Sequence, residues 1–261
     1  MPRGGIVVSL SGLSGLSGLS GSVGGGAAPA SPTVLLDANW LTDTGILNMI
    51  DVPIENGAYV GTWPFATGGT FLASLAVAAG ADFGPVYDTT NGIGSDGTGN
   101  QALTCATPVT IPDLATDWDL WAYVVVPASG FVYILGNSAT AGGNAFQVAA
   151  GMSPAIVDSV GGAISSEIHT MTAGVRLIRF AAVSGVVRVA WTGVADHVTI
   201  NEGYAESMAI DTLLAKIADA SYSGTGGYLK AARLATYPTG YTGRAAYRSA
   251  YETAISGAAL T

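Results

Sequence analysis

One cysteine in 261 residues leaves no partner for an intrachain disulfide and no basis for a cysteine-ligated zinc centre. Cys105 is therefore read as a small buried hydrophobe. Charge is equally scarce, at 10% of the chain, with nine basic residues against 18 acidic and a formal net charge of −9. That balance supplies no electrostatic footprint for nucleic acid phosphates, and it disfavours an anionic membrane surface for the same reason. The longest uninterrupted apolar run, residues 120–126, falls far short of the roughly 20 residues a bilayer-spanning helix needs. Histidine occurs twice, as His169 and His197, with Glu167 and Asp196 nearby. Neither sits in a metal-ligand or triad spacing, so each reads as a loop or strand-end residue. No Gly-x-Ser-x-Gly elbow is present, and Cys105 has no local activating neighbour, so nucleophile chemistry lacks its usual signatures.

Glycine is abundant, with 37 in the chain, and its placement at the N-terminus is periodic. Gly12, Gly15, Gly18, Gly21 and Gly24 recur every third residue, with Leu13, Leu16 and Leu19 between the first four. Such spacing suits extended chains packed around a shared axis, where only a missing side chain fits. The leucines add an apolar stripe that one extended chain cannot bury alone. Residues 1–32 are accordingly expected to be an arm and linker that oligomerises the chain, as a trimer, or docks it on another protein. A flexible Gly/Ser linker is the competing reading, and a secretory leader ending near Ala28-Pro29-Ala30 is a third.

Residues 33–261 read as one domain. Hydrophobic residues make up 49% of the chain, and they fall in short runs separated by Gly, Asn, Asp and Ser. The runs at 33–36, 58–63, 70–78, 102–105, 120–127, 131–135, 145–150, 175–183, 186–192 and 228–237 carry β-branched and aromatic residues and predict strands. Ser184-Gly185 between two of them predicts a two-residue hairpin turn. Near the end, Tyr247, Tyr251 and Ile255 repeat at four-residue intervals before Gly257, which predicts a short amphipathic helix with a glycine cap. Met208, Leu213, Leu214 and Ile217 suggest a second helical stretch over 207–220.

The stretch Asn100–Pro127, the hairpin at 175–192 and the ending from Gly226 through Tyr237-Pro238-Thr239-Gly240 to Tyr251 together resemble the concanavalin A-like, laminin G-like jelly roll. The resemblance covers about residues 85–257. It implies an all-β, two-sheet antiparallel sandwich with a short C-terminal helix behind an extended arm. The layout of arm plus lectin-like sandwich is also similar to structural proteins of tailed bacteriophages. That similarity implies a non-enzymatic virion component of the tail-fibre or capsid-decoration type, homo-oligomeric, contacting host glycans or neighbouring virion subunits. A decoration protein that only braces the capsid, a bacterial surface adhesin and a secreted glycan-active enzyme are the alternatives. Paired carboxylates on one sheet would favour the enzyme, yet the predicted strands hold almost none.

Two candidate sites follow. Trp63, beside Pro64 and glycine-rich sequence, is the tryptophan placed to contact a glycan, whereas Trp121 and Trp191 lie in apolar strand-like runs and are expected in the core. The loop from Asp88 to Asn100 gathers Asp88, Asn91, Asp96 and Asn100 among glycines, an oxygen-rich supply of the kind Ca²⁺ uses. It lacks the terminal glutamate of an EF-hand, and an ordinary turn-rich loop is the competing reading.

Overall fold

A computed structural model describes residues 31–39, 55–64, 74–78, 84–138, 144–157, 163–165, 169–198, 207–217 and 220–261. The chain divides into two units, Met1–Ala30 and Ser31–Thr261, and every described residue belongs to the second. The triplet residues Gly12, Leu13, Gly15, Leu16, Gly18, Leu19 and Gly21 lie outside the described residues.

The strands run in chain order as β1 (Thr33–Asn39), β2 (Thr62–Pro64), β3 (Ser74–Val77), β4 (Val86–Asp88), β5 (Gly92–Gly94) and β6 (Leu103–Ile111). Next come β7 (Trp118–Val126), β8 (Phe131–Gly136), β9 (Ala145–Ala149), β10 (Ala155–Val157), β11 (Ala163–Ser165) and β12 (Gly174–Val183). The last are β13 (Val186–Trp191), β14 (Val194–Val198), β15 (Met208–Leu213), β16 (Ala215–Lys216), β17 (Ser221–Tyr222) and β18 (Tyr228–Thr236), before helix α1 (Arg244–Ser256). Sheet I has the order β14-β13-β12-β7-β18-β5-β4, with β1 also paired to β18, and sheet II the order β11-β10-β9-β8-β15-β6-β3-β2. One edge of β18 pairs β7, while its other edge is shared end to end by β5 at Tyr228 and Leu229 and by β1 from Ala231 onward. The pairings are antiparallel, and the two sheets enclose a single core, so the protein is the two-layer β-sandwich with one C-terminal helix that the sequence pattern predicts.

Alternation explains which face goes where. Along β7, Leu120, Ala122, Val124 and Val126 point between the sheets with Ile178, Phe180, Leu229 and Leu234. The opposite face of sheet I carries Trp121, Leu177, Ala231 and Ala235, and α1 lies on it through Tyr251 and Ile255. That second layer is why β7 reads as a continuous apolar run with no clean period of two. Trp121 and Trp191 are buried as expected, but Trp121 sits under the helix and not between the sheets.

The hairpin between β12 and β13 turns on Ser184 and Gly185, both at positive φ (50° and 81°), as a type I′ turn requires. The helix also forms where its tyrosine spacing places it, and Gly257 closes it in the left-handed conformation with its N–H donating to Thr253 O at 2.9 Å. The helical stretch over 207–220 is not found. Met208, Ile210 and Leu213 enter the core from β15, with Asp211 at a bulge, and Leu214 then turns at a φ of 65°. Backbone partners on β6 and β8 hold the segment as a strand.

Candidate functional site

The acidic groups of sheet I fall into two environments. The first lies under α1. Asp119, on the outward face of β7, is completely buried. Its carboxylate accepts hydrogen bonds from the Tyr237 hydroxyl at 2.6 Å, Arg244 Nη2 at 2.7 Å, Arg248 Nη2 at 2.6 Å and Arg248 Nε at 2.7 Å. Burial disfavours the charge, but the hydrogen bonds from Arg248 and Arg244 outweigh it and leave the carboxyl below the usual range. Arg244 also reaches Asp117 at 2.9 Å and the carbonyls of Trp118 and Ala182 at 2.8 Å each. One turn further along the helix, Glu252 accepts from Trp121 Nε1 at 2.9 Å, Leu260 N at 2.8 Å and Arg179. Arg233 pairs with Asp37 at 2.6 Å and lies 4.1 Å from the Tyr251 ring centroid. Asp119 and Glu252 are buried and filled by donors. They clamp the helix to the sheet and present no acid or base to a substrate.

The second environment lies on the same face beyond the helix, across β4, β5, β18 and β7. The Gly92-Ile93-Gly94 strand sends Ile93 into the core and leaves only hydrogens on its outward side. The Tyr228 ring fills that space: a Cβ on Gly94 would stand 2.2 Å from Tyr228 Cδ1. Beside it, Lys230 sits at the bulge where β18 slips against β7 between Leu229 and Ala231. Its Nζ donates to Thr90 O and lies 5.4 Å from the Tyr123 ring centroid. Burial lowers the Lys230 pKa, against the pull of Asp88. Burial first, then Asp88 and Asp96, raise that of Tyr228. Asp96 is tied to this side of the sheet by Tyr59, whose backbone pairs Val86 next to Gly94.

The loop from Asp88 to Asn100 frames this patch. Most of it is the β4–β5 hairpin, whose turn is held by Asp88 Oδ1 accepting from Thr90 N at 2.8 Å and Asn91 N at 2.7 Å. Asp96 organises the next turn, accepting from Thr98 N and its hydroxyl at 2.9 and 2.7 Å, from Gln101 Nε2 at 3.0 Å, and from the exposed Tyr59 hydroxyl at 3.1 Å. The Thr98 hydroxyl contributes most to holding Asp96 below the usual carboxylate range. Among the described residues no three His, Cys, Asp or Glu side chains gather as a metal cluster. Asn100 is exposed and Asn91 half-buried at the edges of the two turns.

Trp63 lies in β2 at the edge of sheet II, with its backbone opposite Leu75, and its side chain is outside the described residues. Cys105 is partly buried on β6, its thiol pushed up to about 11 by burial and by Asp211. His169 is exposed in a loop with its ring edge toward Trp191. Tyr228, Lys230 and Tyr123 are the patch residues that sequence reasoning did not select. The signal available was Gly-Ile-Gly, two glycines at strand spacing, which marks close approach by another group.

No protein-family model matches the chain. No curated protein matches it either. Among solved structures, it is similar to a protein of unknown function from Shewanella oneidensis MR-1, at 9% identity and a TM-score of 0.35, over 72% of this chain and 90% of that one. It is similar to a Trypanosoma rangeli sialidase solved with sialic acid, at 13% identity and a TM-score of 0.34, over 69% of this chain and 29% of the sialidase. It is also similar to an endo-1,3-beta-glucanase from Streptomyces sioyaensis, at 10% identity and a TM-score of 0.28, over 72% of this chain and 99% of that one. None of the three is described as a virion protein. The expectation of a non-enzyme is corrected here: two of these similar chains are a sialidase and a glucanase. At TM-scores of 0.28 to 0.35 these likenesses are weak, and the antiparallel β-sandwich rests on this chain's own strand topology.

Proposed function

We propose that the chain is a glycan-engaging jelly-roll protein and that the Tyr228 patch is where the sugar lies. The observation that carries this reading is the Tyr228 ring laid over Gly94, bordered by Tyr123, Lys230, Asp88 and Asp96. An aromatic face offers apolar area to the C–H face of a sugar ring, and carboxylate and hydroxyl groups at its rim accept and donate hydrogen bonds to sugar hydroxyls. The helix packs on Trp121, Leu177, Ala231 and Ala235, and its cluster reaches this patch at Tyr123. Calorimetric titration with soluble oligosaccharides tests the assignment. Tyr228→Ala is expected to weaken binding by roughly tenfold or more, about 1.4 kcal/mol, in a protein that still unfolds cooperatively at a somewhat lower melting temperature. Equal affinity in the variant would move the site elsewhere. Assaying the same mixtures for new reducing ends separates a glycan-active enzyme from a binding domain.

A second reading, attachment to a virion or other assembly through residues 1–32, is favoured by the glycine triplet alone. Burying a leucine is worth about 1.5–3 kcal/mol, so Leu13, Leu16 and Leu19 together offset part of the entropy lost on ordering the arm. Changing all three to serine is expected to abolish self-association or docking. Light scattering that shows the parent and the triple variant in the same oligomeric state would reduce the arm to a linker.

A further inference from the structure

We infer that the glycan this patch accepts is a neutral one and that chains bearing carboxylates, such as uronates and sialosides, are rejected. The inference rests on the glycan reading above and deepens it. Tyr228 pairs Gly94 across the sheet, and Gly94 stands opposite Val86 on β4. Asp88 ends that strand, opposite Gly92. Asp96 follows two residues after Gly94, so the aromatic surface has a carboxylate on either flank. A sugar ring stacked on Tyr228 would bring its own substituents to both of them.

The cations nearby are already committed. Lys230 is 6% exposed, donates to the Thr90 carbonyl and faces the Tyr123 ring. Arg233 is held by Asp37 and Tyr251 beneath the helix. Arg176 stands opposite the core residue Val124, on the other side of the strand from Tyr228, and donates to Thr172, Ala173 O and Val175 O. A uronate carboxylate entering the patch would lose water and meet the like charge of Asp88 and Asp96, while the Lys230 ammonium is nearly buried and turned to the Thr90 carbonyl and the Tyr123 ring. A sugar hydroxyl brings no charge to either carboxylate and can donate to Asp88, whose hydrogen bonds from its own turn fall on Oδ1. The net charge of −9 adds long-range repulsion that weakens with salt.

Titration calorimetry at low and moderate ionic strength, with cellohexaose, laminarihexaose and mannohexaose as neutral probes and an oligomannuronate and an oligogalacturonate as acidic ones, tests this. At least one neutral hexasaccharide is expected to bind roughly tenfold or more tighter than either uronate. The Asp88→Asn/Asp96→Asn variant, which keeps an acceptor oxygen at both turns, is expected to narrow that gap by strengthening the uronates, provided its melting temperature matches the parent. Uronate binding equal to or tighter than neutral binding, with Tyr228→Ala abolishing it, overturns the inference and leaves the glycan reading standing. Absence of binding to every probe overturns the glycan reading and this inference with it.

Discussion

Asp119→Ala is expected to destabilise the sandwich by roughly 3–5 kcal/mol, the usual cost of removing one partner from a buried ion pair. Arg244 and Arg248 would be left against the sheet without the carboxylate that both of them grip, and the Tyr237 hydroxyl would lose its acceptor. In a domain of this size each kcal/mol moves the melting temperature by about 2–4 °C, so a drop of roughly 6–20 °C is expected. A shift below about 3 °C would show that the two guanidinium groups reach water and that the clamp contributes little. Acid titration reads the same group. Its folded-state pKa lies below the unfolded value, so the stabilisation is complete above about pH 4 and is lost as the pH falls through the lower, folded-state value. Urea midpoints measured against pH are expected to fall more steeply below about pH 4 in the parent than in Asp119→Asn, which has no carboxyl to protonate at that position. Parallel profiles would assign the acid sensitivity to other carboxylates.

Tyr251→Asp is expected to be comparably severe by a different route. The ring packs at 5.0 Å from Trp121 and under the Arg233 guanidinium, and truncating a buried aromatic costs about 3–5 kcal/mol before any charge is counted. The new carboxylate would be buried beside an Arg233 that Asp37 already pairs, so its desolvation is only partly compensated. Tyr251→Phe keeps the packing and is expected to stay within about 1 kcal/mol of the parent. Thermal melts of the two variants separate loss of packing from loss of the hydroxyl. If Asp and Phe melt together, the helix does not depend on this residue for its seat.

The strands and the helix were legible because each rests on a short-range pattern. Val175 to Trp191 carries two β-branched runs around Ser184-Gly185, and that turn chemistry decides the hairpin without help from the rest of the chain. Tyr247, Tyr251 and Ile255 share one face of any helix they join. Segment 207–220 misled for the same reason in reverse. Its apolar residues fit a helical face about as well as an alternating one, and the choice belonged to β6 and β8, which are far away in sequence.

The candidate site was legible only at its rim. Asp88 and Asp96 stand out as acids in a glycine-rich loop, but Tyr228, Lys230 and Tyr123 come from strands distant in sequence and meet them only through the register of β18 against β5 and β7. The clamp under α1 was hidden in the same way. Asp119 precedes a run of apolar residues and reads as a turn acid, and nothing local shows that Arg244, Arg248 and Tyr237 will converge on it.

By itself the sequence determined the all-β class, the turn at 184–185, the terminal helix and the shortage of charge, because composition, periodicity and turn chemistry act within a few residues. Only the tertiary structure decided which face of sheet I the helix covers, which carboxylates are consumed there, and which remain beside an aromatic ring. Those outcomes depend on strand order and register, which bring together groups that no local pattern connects.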